Sequence, residues 1–207
     1  MRMPITALMR DSRASSAAEF ALVLPLLLIF LLGIIDVGRL MWTWNRAEKA
    51  TQMGVRYAVV TDPVASGIAT YSFATGASIP QGGAIDTSYF SSMTCSSTSC
   101  GSCSGSACNS LTTPYNSTAF ASIVGRMQAF LPELAAANVE ILYSNSGIGY
   151  SGDPNGPDLA PLVTVRIKDM SFRPIALFLF NATISLPSFS AALTMESGQT
   201  YAEQIPN

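Results

Sequence analysis

The chain has 207 residues, 49% hydrophobic and only 12% charged, with a mean hydropathy of +0.35 and a formal net charge of −2. That balance is too apolar for a disordered chain or an ordinary soluble domain, and too weakly charged for an electrostatic nucleic-acid binder. Histidine is absent, which removes Ser-His-Asp and Cys-His catalysis, His-ligated zinc and haem-His sites together.

Residues 1–14 carry Arg2, Arg10 and Arg13 and read as a basic leader. From Phe20 to Ile35 the chain is FALVLPLLLIFLLGII, without a charge. At ~1.5 Å per helical residue this run spans roughly 24 Å, somewhat less than a ~30 Å hydrocarbon core. Extension to about 17–41 completes a transmembrane span, with Glu19 and Asp36 near its boundaries. The small residues precede the apolar run and no A-x-A site follows it, so the segment reads as an anchor rather than a cleaved secretory signal. The basic end places the N-terminus in the cytoplasm and everything after about Asp36 outside it.

The helix is expected to continue past the bilayer. Val37, Leu40, Met41, Trp44, Ala47, Thr51, Val55 and Ala58 recur at three- and four-residue steps, one stripe on a helix. Trp42 and Trp44 suit a membrane interface. Thr61-Asp62-Pro63 is the stop, giving a helix from about Ser15 to Val60, ~70 Å long, which Pro25 should kink. Residues 62–207 form the remaining domain. Its first part, to Pro114, is rich in Ser, Thr, Gly and Ala. Between Tyr57 and Val165 Arg126 is the single basic residue, against Asp62, Asp86, Glu133, Glu140, Asp153 and Asp158; such a surface suits an exterior environment.

Further along, Ile123, Met127, Phe130, Leu131 and Leu134 predict a helix over Phe120–Ala137, with a break at Pro132. Val139–Tyr143 predicts a short strand, 150–161 a loop, and the alternation over Leu162–Lys168 a second strand. Ile175–Phe180 reads as a short helix or a buried run. Ala182–Glu196 reads as a final strand that Pro187 makes an edge or breaks. The expected class is α+β: a long transmembrane helix continuing into a small domain with a short antiparallel sheet.

Candidate chemistry is sparse. Cys95, Cys100, Cys103 and Cys108 fall in a Ser/Gly-rich loop over 93–110. In an oxidising compartment two disulfides are expected, with three pairings open; a four-thiolate zinc site is the alternative. Asp153, Asn155 and Asp158 read as a turn rather than a calcium loop, which would need a closing Glu. Asn116-Ser117-Thr118 and Asn181-Ala182-Thr183 match a glycosylation pattern that is frequent by chance. The chain lacks a P-loop and a G-x-S-x-G, and the expectation is no catalytic residue, no metal and no cofactor.

The most specific signal is Ala17-Ala18-Glu19-Phe20-Ala21-Leu22-Val23-Leu24-Pro25-Leu26-Leu27-Leu28, followed by Gly33-Ile34-Ile35-Asp36-Val37-Gly38-Arg39, then Asn45, Ala47 and Gly54-Val55-Arg56-Tyr57-Ala58. A carboxylate at the start of a membrane helix is expensive unless it is paired or caps the helix. Over these roughly 44 residues the chain resembles the TadE-like family, pilin-like (pseudopilin) proteins of the tight-adherence (Tad/Flp) pilus systems. Val163-Thr164-Val165 and Ala191–Glu196 resemble that family's C-terminal strands more weakly. The resemblance implies a prepilin peptidase that cuts between Ala14 and Ser15, leaving Glu19 fifth and the aromatic Phe20 sixth. Such families have Gly before the cut, where this chain has Ala14, the next smallest side chain. It also implies a non-enzymatic minor pilin of the bacterial inner membrane that supports adhesion and partners other pilin subunits, with Glu19 pairing with a new amino terminus at Ser15. The rival expectation is an unprocessed, permanently anchored scaffold or adhesin.

A periplasm-dependent reporter fused after Pro63 should be active, because Arg2, Arg10 and Arg13 hold the other end in the cytoplasm. Activity of a cytoplasm-dependent reporter at that position would reverse the orientation.

Overall fold

The computed structural model describes residues 12–111, 114–154, 156–176 and 182–195, with side chains from Ser16 onward. The first element, α1, is a continuous helix over Ser12–Ala58 that runs on through Pro25. It begins three residues inside the expected leader and ends two before Val60. The described chain divides into two units. Residues up to Trp42 join Ser171–Ser185 in the first, and Thr43–Met170 joins the chain from Leu186 in the second.

The second unit is built on a five-stranded antiparallel sheet. Its strands are β1 (Ser92–Cys95), β2 (Cys100–Ser104), β3 (Val139–Ser144), β4 (Leu162–Ile167) and β7 (Phe189–Thr194), in the order β2-β1-β3-β4-β7. Register aligns the apolar positions in rows across the strands. Met93, Tyr143 and Val163 form one row, Cys95, Ile141 and Val165 the next, and Val139, Ile167 and Phe189 a third. All nine side chains are buried. A one-residue slip would send each row to the opposite face, so burial itself holds the register. On that opposite face Glu140 bridges Arg166 at 3.4 Å and Lys168 at 3.0 Å; such half-exposed pairs add little stability.

Helical elements supply the rest of this core. In the part of α1 that belongs to this unit the buried residues are small: Ala47, Ala50, Thr51, Gly54, Val55 and Ala58. A Cβ on Gly54 would lie 2.7 Å from Met127 Cγ and 3.3 Å from a Val165 methyl, so the bare backbone is what admits the neighbouring chain. Met127 belongs to α4 (Ser117–Gln128), whose Ala119, Phe120, Ile123 and Val124 are also buried. Asn116 caps α4, its side-chain oxygen accepting from Ala119 N at 3.0 Å.

α4 corrects the expected helix over Phe120–Ala137 at both ends. The Asn116 cap starts it at Ser117. Pro132 has no N–H to offer the Gln128 carbonyl, and its ring crowds that turn, so the last helical residue is Gln128. A 3₁₀ turn follows at Ala136–Asn138. The expected final strand is likewise two pieces, β6 (Ile184–Ser185) and β7, parted around Pro187, with β7 at the sheet edge. Pro at such a place removes a ladder donor. Of the expected run Ile175–Phe180, residues 177–180 lie outside the described residues.

The Ser/Gly-rich stretch, in which the sequence predicts no element, holds α2 (Gly67–Thr70), α3 (Phe73–Gly76), β1, β2 and a 3₁₀ turn at Ser106–Asn109. Its sparse apolar residues Val64, Ile68, Phe73, Ile79, Ile85 and Phe90 are all buried. Polar side chains secure these loops. Asn145 Nδ2 donates to Ile85 O and Phe90 O. Asp158 accepts from Phe73 N at 2.7 Å and Asp153 N at 3.0 Å. The Tyr143 hydroxyl accepts from Val64 N at 2.9 Å, and burial pushes that phenol's pKa well above its usual value. Among its described residues, 150–161 is the expected loop, and Asp158 ties it to Phe73.

Gly54→Val should lower the thermal midpoint of the near-UV signal by an amount equivalent to about 1–3 kcal/mol, the cost of overpacking. Gly125→Ala, where an added Cβ meets nothing within 4 Å, should raise it by up to ~1 kcal/mol through helix propensity. Equal and small shifts for both would show that Gly54 is not a close-approach site.

Candidate functional site: an exposed apolar helix with an aspartate clamp

In the first unit the side chains of α1 are the reverse of those in the core segment. Leu22, Leu26, Ile29, Phe30 and Ile34 are large and 59–79% exposed. The most apolar window has a mean hydropathy of 2.8, and only 6% of it is buried. A soluble core helix of that hydropathy would be covered by its own chain. Leaving a single such side chain in water forgoes about 1.5–3 kcal/mol, so this surface calls for a lipid or helix environment. The helix is long and apolar enough to cross a membrane once.

The residues implied in processing sit at the start of that surface. Ala14 and Ser15 lie within α1, and Ser15 and Glu19 are one turn apart on the same face. Glu19 and Phe20 are exposed. Pro25 and Ile35 lie within the same helix and are also exposed. Glu19 therefore stands at the start of the apolar surface, as the sequence order requires.

Asp36 behaves differently. It is only 7% exposed, although apolar side chains on both sides of it face outward. Its carboxylate accepts from Ile175 N at 2.8 Å and Ala176 N at 2.7 Å. Arg39, one turn along, donates to it at 3.0 Å. The Arg39 guanidinium also lies 5.2 Å from the centroid of the Phe172 ring, within range of a cation–π contact. Phe172 pairs with Ile184 and Ser171 with Ser185 across the two-stranded β5 (Ser171–Phe172) and β6. α1 and this returning strap of chain (residues 171–176 and 182–185) flank an apolar groove of about 200 Å³, lined by Gly33, Val37, Leu40, Phe172, Pro174 and Ile184 among others. Sequence reading placed Asp36 at a membrane boundary but missed its partners, since two of them are backbone amides some 140 residues away. The available signal was a lone carboxylate with an Arg three residues on, at the end of an apolar run.

The cysteines form two disulfides, Cys95–Cys100 and Cys103–Cys108. The first closes the β1–β2 hairpin, and the second joins β2 to the 3₁₀ turn after it. All four sulfurs are thus committed, and the zinc alternative is not what this loop forms. Among the described residues no group of three or more His, Cys, Asp or Glu could hold a metal ion. The Asn116 sequon coincides with the α4 cap; Asn181 lies outside the described residues, as does Asn155.

These features, a single exposed apolar helix led by Glu19 and continued into a folded domain, are where the comparison with known families falls. Residues 14–56 match the family described as TadE-like protein. The match begins at Ala14 and ends at Arg56, inside α1. It covers the N-terminal stretch on which the resemblance rests except Tyr57 and Ala58, and does not reach Val163–Val165 or Ala191–Glu196. No curated protein and no solved structure matches the chain.

Asp36→Ala should leave α1 intact while the Ile175 and Ala176 amides exchange with deuterium at least about tenfold faster, since each loses a charge-assisted bond of ~1.5–3 kcal/mol. Unchanged exchange at these amides would mean that Asp36 does not hold them.

Proposed function

We propose that this protein is a non-enzymatic, minor pilin-like subunit of a Tad-type pilus machine. It is stored in the bacterial inner membrane through α1 with its N-terminus cytoplasmic. The observation that carries this reading is the exposed apolar face of α1, headed by Glu19, within the stretch that matches the TadE-like family. A stored subunit needs a helix that lipid solvates, and an assembled one needs the same face to pack on other helices. Large, unpartnered apolar side chains serve both states.

In this reading a prepilin peptidase cuts between Ala14 and Ser15, and the new amino terminus pairs with Glu19 of the same or a neighbouring subunit. Buried among helices, such a pair is weak evidence for stability but well suited to setting register. The folded domain with its disulfides is then displayed outside the cytoplasm, where it supports surface attachment. A second reading, a permanently anchored scaffold, draws on Ala14 standing where Gly is usual. Intact mass of the membrane-purified protein separates the two: a chain beginning at Ser15 supports the pilin, an uncut leader the scaffold.

Glu19→Gln should remain abundant in membranes, because removing a charge eases insertion. Its co-purification with pilus subunits should fall about tenfold, the effect of losing ~1.4 kcal/mol. Processing at Ser15 is measured alongside. A Gln variant that is cut and assembles like wild type would reduce Glu19 to a helix cap.

A further inference from the structure

The Asp36 clamp solves two problems that arise only at a bilayer. A carboxylate on an apolar helix is costly near hydrocarbon unless its oxygens are paired. Backbone N–H groups brought to the same depth are costly unless they are bonded within the protein. Here each satisfies the other: Asp36 takes both Ile175 N and Ala176 N, and Arg39 supplies the countercharge. The preceding residue, Pro174, has no N–H to satisfy. β5 and β6 pair with one another and meet more of the strap's backbone demand.

The side chains fit the same environment. Phe172 and Pro174 are buried against α1, while Ile175 and Ile184 are 46% and 42% exposed. Ile184 lines the groove together with Val37 of α1, and Ile175 donates its N–H to Asp36; Val37 is exposed and apolar, as are Ile34 and Ile35 just before Asp36 in α1. The sequence joining Ile175 and Ile184 is apolar from 175 to 180. The strap's one basic side chain is Arg173, exposed like Arg39. Cationic heads beside an apolar patch are the composition of a segment lying at the headgroup boundary, where long side chains reach back to water.

We propose that residues 171–176 and 182–185, the strap, form a second lipid-contacting element, which Asp36 pins to the outer end of the membrane helix so that Ile175 and Ile184 enter the interface of the bilayer α1 spans. The proposal rests on α1 spanning that bilayer. It gives the chain two points of membrane attachment separated by some 140 residues of sequence. It also assigns Asp36 a positioning role, holding an interfacial segment at a set depth.

The test uses the full chain in vesicles of phosphatidylethanolamine and phosphatidylglycerol doped with doxyl-labelled lipid. Single cysteines replace Ile175, Ile184, Phe30 or Ser122 and carry an environment-sensitive fluorophore; the native cysteines are already in disulfides. Phe30 reports the span and Ser122, exposed on α4, reports water. Labels at 175 and 184 should be quenched by shallow doxyl groups to at least about half the extent seen at Phe30 with deep ones, as expected ~5–10 Å into the interface. Quenching at 175 and 184 no greater than at Ser122, with Phe30 quenched, overturns the strap proposal and leaves the span standing. A blue-shifted but lipid-insensitive emission at 184 puts a second copy of the chain on the patch and overturns it too. An unquenched Phe30 overturns the span itself, and the strap with it.

Discussion

One helix has to satisfy two environments, and its side-chain sizes divide accordingly. Through the first unit α1 presents Leu, Ile and Phe outward, with almost nothing of its own chain to cover them. From Thr43 onward it presents Ala47, Ala50, Gly54 and Ala58 inward, with none of them exposed beyond 1% where a value applies. Large apolar groups maximise the area given to lipid or to partner helices. Small ones let a sheet and α4 approach the backbone closely, which is why a methyl at Gly54 would crowd Met127 and Val165.

The folded domain depends on that approach. Its sheet packs apolar rows in register, but about half of its buried residues outside the strands come from loops with few apolar groups each. Such loops bury little area, so polar side chains that meet backbone atoms hold them: Asn145, Asp158 and Tyr143 each bond to segments more than 50 residues distant. At the other sheet edge β2 buries almost nothing. There covalent links take over, with each of the two disulfides closing a five-residue separation. Cross-links of this kind suit an oxidising exterior and a small domain with a thin core.

Asp36 shows how a charge within an apolar helix is tolerated. Alone it would be a costly group near the bilayer. With two amides and Arg39 around it, it becomes the point at which the chain returns to the helix late in the sequence. The TadE-like match ends long before the residues that partner Asp36, so the clamp joins the matched stretch of α1 to a part of the chain outside that match.

The long helix, the strands β3 and β4 and the break at Pro187 were legible because each follows from local order: a charge-free run, a period of two, a missing N–H. The TadE-like resemblance was legible for the same reason, being a contiguous stretch of α1. Two things were decided only in the tertiary structure. The elements between Asp62 and Pro114 carry no periodicity, because their apolar residues are isolated and are buried by distant partners. The role of Asp36 rests on Ile175 and Ala176 amides, and backbone donors leave no mark in a sequence at all. Local periodicity records which face of an element is apolar; which remote group completes a buried polar atom is settled only when the chain has folded.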